Sequence, residues 1–306
     1  MMKLKDLDMG IREQVDVLLL NVEERETKTG KSYTVLTVTD GDMIVEVKKW
    51  DSILVDYEHF KNSVITLNVK CSMYGNDITY DTDSVFCSTK PITEFIPKAP
   101  IDFKVTFDKI MDRVNKIGND YVRTLTEQIL TNHKERLLYW SAAKGNHHAL
   151  YGGLLYHMYR MMENADMQCN LYPTLDRNIM IAGTLLHDIG KLKELDTNEL
   201  GVADYTRDGS LLGHAYMGMN MVQEYGSKLN VPTDIVVQLQ HMIAAHHGNL
   251  EWGAISVPKT MEAQMMHFLD MIDSRMYIFE DTIKSMEPNK PSNKVYGLGG
   301  VSIYKF

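Results

Sequence analysis

The residues able to do chemistry gather late in the chain. Ten of the eleven histidines lie after residue 130. The stretch GTLLHDIGK, residues 183–191, ends an apolar helical run in adjacent His187 and Asp188. His157, His214, the pair His246 and His247, His267 and Asp270 each fall on or at the end of a separate helical segment. A lone histidine on an apolar helix is more often a core residue, and His133, His241 or His267 taken singly reads that way. His59, in a charged loop, reads as surface. Several buried histidines without a shared purpose would be costly to bury, so jointly they read as a metal centre. Imidazole with carboxylate suits Mn, Fe, Zn, Ni or Co. Adjacent helical residues diverge by about 100°, so His187 and Asp188 present two ligands from one helix end. A carboxylate such as Asp188 can bridge two ions. Two ions about 3.5–4 Å apart activate water near neutral pH and clamp a phosphoryl group. In HFLDMID, Asp270 is the preferred carboxylate ligand, with Asp273 one turn on in support.

The elements that must position these residues follow from periodicity. QVDVLLLNVEERETKTGKSYTVLTVTDGDMIVEVKKWD contains three β-rich runs, separated by KTGK and by Asp40-Gly41-Asp42. SVITLNVKCSMYGNDITY adds two more, joined near Gly75-Asn76. Five short strands suit a small closed barrel, an OB-fold first and an SH3-like barrel second. PITEFIPKAP, with three prolines, reads as a linker. Beyond it the pattern turns helical, with Thr106 or Asn119 as caps of the first two helices. The methionines of the helices read first as core filler. The expected fold is multidomain, β then α. An OB-like barrel occupies residues 1–90, a linker 91–100, an all-α domain 101–285 and a tail 286–306.

Composition bounds the rest. The chain has 306 residues, 44% hydrophobic and 24% charged, ordinary for a soluble globular protein. No apolar run suits a membrane span. The start MMKLKDLDMG lacks the apolar core of a signal peptide, so the expected location is cytoplasmic. Three scattered cysteines, Cys71, Cys87 and Cys169, fit reduced thiols rather than a disulfide frame or a cysteine-based zinc site. Net charge is −9, and residues 1–94 carry 11 Lys+Arg against 17 Asp+Glu, or −6. That excludes the broad basic footprint of a strong duplex binder. It is compatible with local single-strand contacts and with a homo-oligomer.

The ordered set His157, His187-Asp188 and Asp270 resembles the HD superfamily of metal-dependent phosphohydrolases. Within it, AAKGNHHALYGGLLYHM, LLHDIGK, LLGHAYMG, AAHHGNLEWG and HFLDMID resemble the YhaM-type 3′-5′ exoribonucleases, which join an N-terminal OB-fold to an HD domain. KTGKSYTVLTVTDGD and KVYGLGGVSIYKF resemble that family's OB segment and tail, so the likeness spans nearly the whole chain. The resemblance implies one divalent ion at His157, His187 and Asp270, with Asp188 bridging. It implies a second at His214, His246 and His247, either of the last two ligating. Mn²⁺ is the expected ion, with Co²⁺, Fe²⁺ and Mg²⁺ as alternatives. Lys191 would meet a phosphate oxygen, or else serve as a helix C-terminal cation. His147 and His148 would face substrate or close the helix packing, His267 would support the ligands from behind, and Glu251 and Trp252 would order the wall of the site, or else Trp252 is plain core.

The implied activity is metal-dependent 3′-5′ exonucleolytic hydrolysis of single-stranded RNA, with single-stranded DNA as a further substrate, to nucleoside monophosphates. On the barrel, Tyr33, Lys48, Lys49 and Trp50 would form a strand-binding face through stacking and phosphate contacts, or else be barrel filling and solvated lysines. Two other readings stand beside this one. The first is HD hydrolysis of a cyclic dinucleotide or a nucleotide triphosphate, which would not need a barrel. The second is a non-catalytic nucleic-acid-binding or assembly protein, against which the full set of ligand types speaks.

Overall fold

The computed structural model describes residues 2–27, 29–75, 77–144, 150–284 and 286–306. It divides into two compact units, residues 1–98 with 283–306, and residues 99–282.

The first unit is built on five strands: β1 (Arg12–Glu26), β2 (Ser32–Thr39), β3 (Ile44–Trp50), β4 (Val64–Tyr74) and β5 (Asp77–Cys87). They close into a barrel in the order β1-β2-β3-β5-β4, which is OB-like. The long strand β1 makes closure possible. Its first half pairs antiparallel with β4, its second half with β2, and the register shifts between Leu19 and Asn21, where the strand bends. A short parallel pairing of β3 with β5, from Val47↔Tyr80 to Lys49↔Thr82, completes the circle. Val15, Val17, Leu19, Leu36, Val38, Ile65, Leu67 and Val69 fill the interior from alternate positions. The Asp40 turn does more than reverse the chain. Its buried carboxylate accepts from the backbone N–H groups of Leu4 (2.7 Å), Asp42 (2.9 Å) and Met43 (2.9 Å), so the cost of burying the charge is met by hydrogen bonds. The proline-rich stretch expected as a linker is not free chain, because Phe95 and Ile96 within it are buried.

The second unit is helical. Its elements are α1 (Phe103–Val114), α2 (Asp120–Asn132), α3 (Lys134–Leu137), α4 (Gly153–Leu171), α5 (Arg177–Leu186), α6 (Lys191–Glu194), α7 (Arg207–Lys228), α8 (Thr233–Ala245) and α9 (Met261–Lys284). A two-stranded ribbon, β6 (Leu195–Thr197) with β7 (Ala203–Tyr205), sits between α6 and α7. Asn119 caps α2 as expected, its carboxamide oxygen accepting from the N–H groups of Tyr121 and Val122. The expectation for Thr106 fails. Asp102 caps α1 by accepting from Val105 N–H at 2.9 Å, and Thr106 lies buried inside the helix. Helix α5 is the centre of the unit. Every residue from Ile179 to Leu186 is buried, so this helix is apolar all round and other helices surround it. His187 is its C-cap, which delivers the HD pair into the middle of the unit.

Candidate metal centre

Four elements meet at the end of α5. His157 projects from α4 and Asp270 from α9, while His246 is the C-cap of α8. His214 follows Gly213, where a left-handed backbone (φ 73°) breaks α7 into two helical pieces. Gly190 allows the approach, since a Cβ there would lie 1.9 Å from the His214 carbonyl oxygen. Two donor groups result: His157, His187 and Asp270, and His214, His246 and His247. In each, one donor atom per residue lies within 4.8 Å of the others. Asp188 stands between them. Its Oδ2 is 3.6 Å from His157 Nε2 and 3.5 Å from His187 Nε2, and its Oδ1 is 3.5 Å from His214 Nε2 and 3.9 Å from His246 Nε2. One carboxylate thus offers one oxygen to each group.

The outer nitrogens fix the direction of the inner ones. His187 Nδ1 donates to Thr184 O at 2.9 Å and His246 Nδ1 to Ile243 O at 2.6 Å. A carbonyl only accepts, so in the neutral rings the Nε2 lone pairs point inward. His157 Nδ1 meets Asp273 Oδ2 at 2.7 Å, and Asp273 is held in turn by Arg160 Nε at 2.5 Å. Glu194 holds His214 twice, its Oε1 accepting from both the backbone N–H and Nδ1 at 3.0 Å. These partners orient the ligands and raise their basicity. His267 Nδ1 donates to His246 O at 2.8 Å and so supports that ligand through its backbone.

This donor set fits divalent cations. The Nε2 atoms of His157 and His187 face each other at 3.1 Å, and those of His214 and His246 at 3.2 Å. Ligand nitrogens about 2.1 Å from a shared ion at right angles would lie about 3.0 Å apart. His247 Nδ1 is buried without a hydrogen-bond partner among the described residues. The C-terminal ends of α5 and α8 both reach the centre, where the helix dipole favours positive charge. Proton affinities agree. Burial pushes His187, His246 and His247 below the usual imidazole range and keeps them neutral. Burial also opposes charge on His157, but the Asp273 hydrogen bond and the Asp270 and Asp188 carboxylates outweigh it and hold its proton affinity up. A field that favours a proton there favours a metal ion. For Asp188, burial alone would raise the pKa, yet the Lys191 ammonium, together with His157, brings it well below the carboxylate range.

Lys191 Nζ lies 2.6 Å from Asp188 Oδ2, a closer engagement than either role expected of it. Trp140 Nε1 donates to the Lys191 carbonyl at 3.0 Å and fixes the backbone there. Trp252 is 56% exposed, its ring 6.1 Å from that of His267, so it lies at a rim rather than in a core. Glu251 beside it is exposed. His147 and His148 lie outside the described residues. Glu194 and Arg160 were not foreseen. Arg160 is one helical turn from His157, a spacing that could have flagged it; Glu194 carries no such signal.

Residues 154–275 match the HD domain family. The match covers the part of the helical unit from α4 to α9 that carries the donor groups. HD domains are in general metal-dependent phosphohydrolases that bind divalent metals, and the His and Asp groups above lie within the matched segment.

On the barrel, Tyr33 pairs with Trp50 across β2 and β3, ring centroids 4.8 Å apart, and Lys48 Nζ is 5.7 Å from the Trp50 ring centre. These three share the outer face. Lys49 does not, because alternation turns it to the opposite side and its ammonium donates to Trp50 O at 3.3 Å. Two solved domains are similar to part of this chain. The second OB-fold domain of replication protein A from Methanococcus maripaludis is 15% identical, covers 29% of this chain and 96% of its own, with a TM-score of 0.24. The OB domain of a Thermoplasma acidophilum protein is 13% identical, covers 33% of this chain and 92% of its own, with a TM-score of 0.25. Among the described residues no helix is long and apolar enough to cross a membrane.

Proposed function

We propose that the protein is a cytoplasmic, metal-dependent 3′-5′ exonuclease. Its substrate is single-stranded RNA, with single-stranded DNA as a further substrate, and its product is nucleoside monophosphates. One observation carries the reading: the same chain holds a donor set hinged on Asp188 and an OB-like barrel on which Tyr33 packs against the exposed Trp50 ring. A hydrolase of a small nucleotide needs only the first.

His157, His187 and Asp270 would hold one ion, and His214, His246 and His247 the other, with Asp188 shared. Mn²⁺ is the ion this reading assigns. When bound, such ions lower the pKa of water and neutralise charge on a phosphoryl group. The chain does the rest. Asp273 and Glu194 keep the His157 and His214 rings turned inward. Lys191 keeps Asp188 ionised and oriented, and its ammonium brings a positive charge to the place where a phosphate oxygen would lie. Tyr33, Lys48 and Trp50 would engage the strand upstream of the cleaved end by stacking and phosphate contact, and Trp252 would wall the site.

The test uses 5′-labelled single-stranded RNA and the matching DNA, with Mn²⁺ and then with EDTA. A ladder shortening from the 3′ end only with metal is the expected result, and it ranks the two substrates. Intact strands in Mn²⁺ would overturn the reading and transfer the centre to a cyclic dinucleotide or nucleotide triphosphate.

A further inference from the structure

Residues 283–306 are a basic segment of an acidic chain. They hold four lysines, Lys284, Lys290, Lys294 and Lys305, against a single acid, Glu287, while the whole chain carries −9. Residues 286–306 are folded. Their backbone closes on itself through Asn289 N–H to Lys305 O (2.7 Å), Ser292 N–H to Ile303 O (2.8 Å) and Val295 N–H to Val301 O (2.9 Å). Lys305 Nζ donates to Ile283 O at 3.1 Å and Met286 O at 3.3 Å, which ties the loop to the end of α9. Leu298 and Ile303 are buried and anchor it. What this scaffold displays is aromatic. Tyr296 is 85% exposed and Tyr304 55% exposed. Lys294 is exposed beside Tyr296 and has no ion-pair partner among the described residues.

Lys290 is paired with Glu287, so Lys294 is the lysine that stands beside the rings without an ion pair among the described residues. Rings held out by an ordered loop beside such a lysine are features that bind single strands without regard to sequence. Stacking accepts any base, and the ammonium groups follow the phosphates. The barrel offers Lys48 in this role, but residues 1–94 carry −6. We propose that residues 286–306 form a second single-strand-binding surface, centred on Tyr296, Tyr304 and Lys294, which adds phosphate attraction to the little that the acidic barrel offers through Lys48. The assignment rests on the exonuclease reading for its purpose but not for its test.

The experiment compares full-length wild type with the double variant Tyr296→Ala/Tyr304→Ala, the double variant Tyr296→Phe/Tyr304→Phe, and Lys294→Glu. Binding of a long labelled poly(U) strand is measured in EDTA, so that cleavage does not interfere. Hydrolysis of bis(p-nitrophenyl) phosphate with Mn²⁺ and sedimentation velocity run alongside. The alanine pair is expected to weaken strand binding by roughly tenfold or more, and the phenylalanine pair to retain it. Lys294→Glu is expected to flatten the salt dependence by about 0.7 in log–log slope. Phosphodiester hydrolysis and sedimentation should not change. Alanine variants that bind poly(U) like wild type overturn the assignment. So does loss of oligomeric state in those variants, which would make the surface a contact between copies of the chain. A wild type that binds poly(U) through these residues but never shortens RNA would refute the exonuclease reading and leave this surface standing.

Discussion

Glu194 gives the sharpest test of how the two donor groups are organised. It touches only one of them, through His214, and accepts both of that residue's N–H groups at 3.0 Å. Its carboxylate is largely buried and its pKa is lowered, burial opposing the charge and the His214 contacts outweighing it. Glu194→Ala removes two charge-assisted hydrogen bonds, each worth about 1.5 kcal/mol net. Complete loss of both would weaken an ion at the His214 group by about 100-fold, at about 1.4 kcal/mol per tenfold. The His214 side chain is 15% exposed, so water can replace part of what is lost. The expected effect is therefore about 10- to 100-fold, the range seen when such supporting partners are removed. Glu194→Gln keeps an acceptor of the same reach and should lose only a few-fold. The assay is calorimetric titration of metal-free protein with Mn²⁺. Wild type should bind in two steps, and Glu194→Ala should weaken one and spare the other. Equal weakening of both steps, or a titration identical to wild type, would refute the division of the centre into two groups with separate supports.

Three further outcomes follow from the same geometry. Removing metal with EDTA should lower the melting temperature and restoring Mn²⁺ should recover it, because an ion at about 100 times its dissociation constant adds about 2.7 kcal/mol to the folded state; scanning calorimetry reads this directly. Gly248 sits at φ 77°, where a Cβ would lie 2.2 Å from the His267 ring, so Gly248→Ala should destabilise by about 2 kcal/mol or more in urea unfolding and reduce Mn²⁺ affinity by displacing His267 from His246 O. Far from the centre, Asp166 is paired with Arg113 and Arg177. Burial opposes its charge, but the arginines hold its pKa below the ordinary 3.8. A depressed carboxyl contributes stability that is complete above its unfolded value and disappears as pH falls through its folded value. Asp166→Asn should therefore be less stable than wild type at neutral pH, and urea midpoints should show the gap closing below pH 3.8.

How much was legible beforehand depended on whether the signal was local. The five strands announced themselves because alternation along QVDVLLL or VITLNVK is a property of consecutive residues. The ribbon of β6 with β7 has three residues per strand, too few for a period to emerge. The cap of α1 turned on a single register. Asp102 and Thr106 are both capping types, but only Asp102 stands three residues before an N–H that needs an acceptor, that of Val105. The apolar character of Phe95 and Ile96 was visible, yet three surrounding prolines read as a linker, and only tertiary packing shows them buried.

The metal-ligand candidates were legible for a different reason. No single histidine among them is distinctive, but a polar group repeatedly placed where a helix turns apolar must find partners, and the cheapest partners are one another across a shared ion. That argument finds groups which converge. It does not find groups that stand behind them. Glu194 lies in KLKELD, a run of charge that reads as a solvated face, and nothing local says that the four-residue helix α6 turns it inward. Its orientation is set by Gly190, where contact with the His214 backbone leaves no room for a side chain, and by Gly209, where a Cβ would lie 2.1 Å from the Glu194 carbonyl oxygen. The partner of a ligand is thus specified by two glycines in different segments, one before it and one well after. A long-range steric requirement of that kind leaves no periodicity for a sequence reading to detect, although a substitution at either glycine should disturb His214 as surely as a change at Glu194 itself.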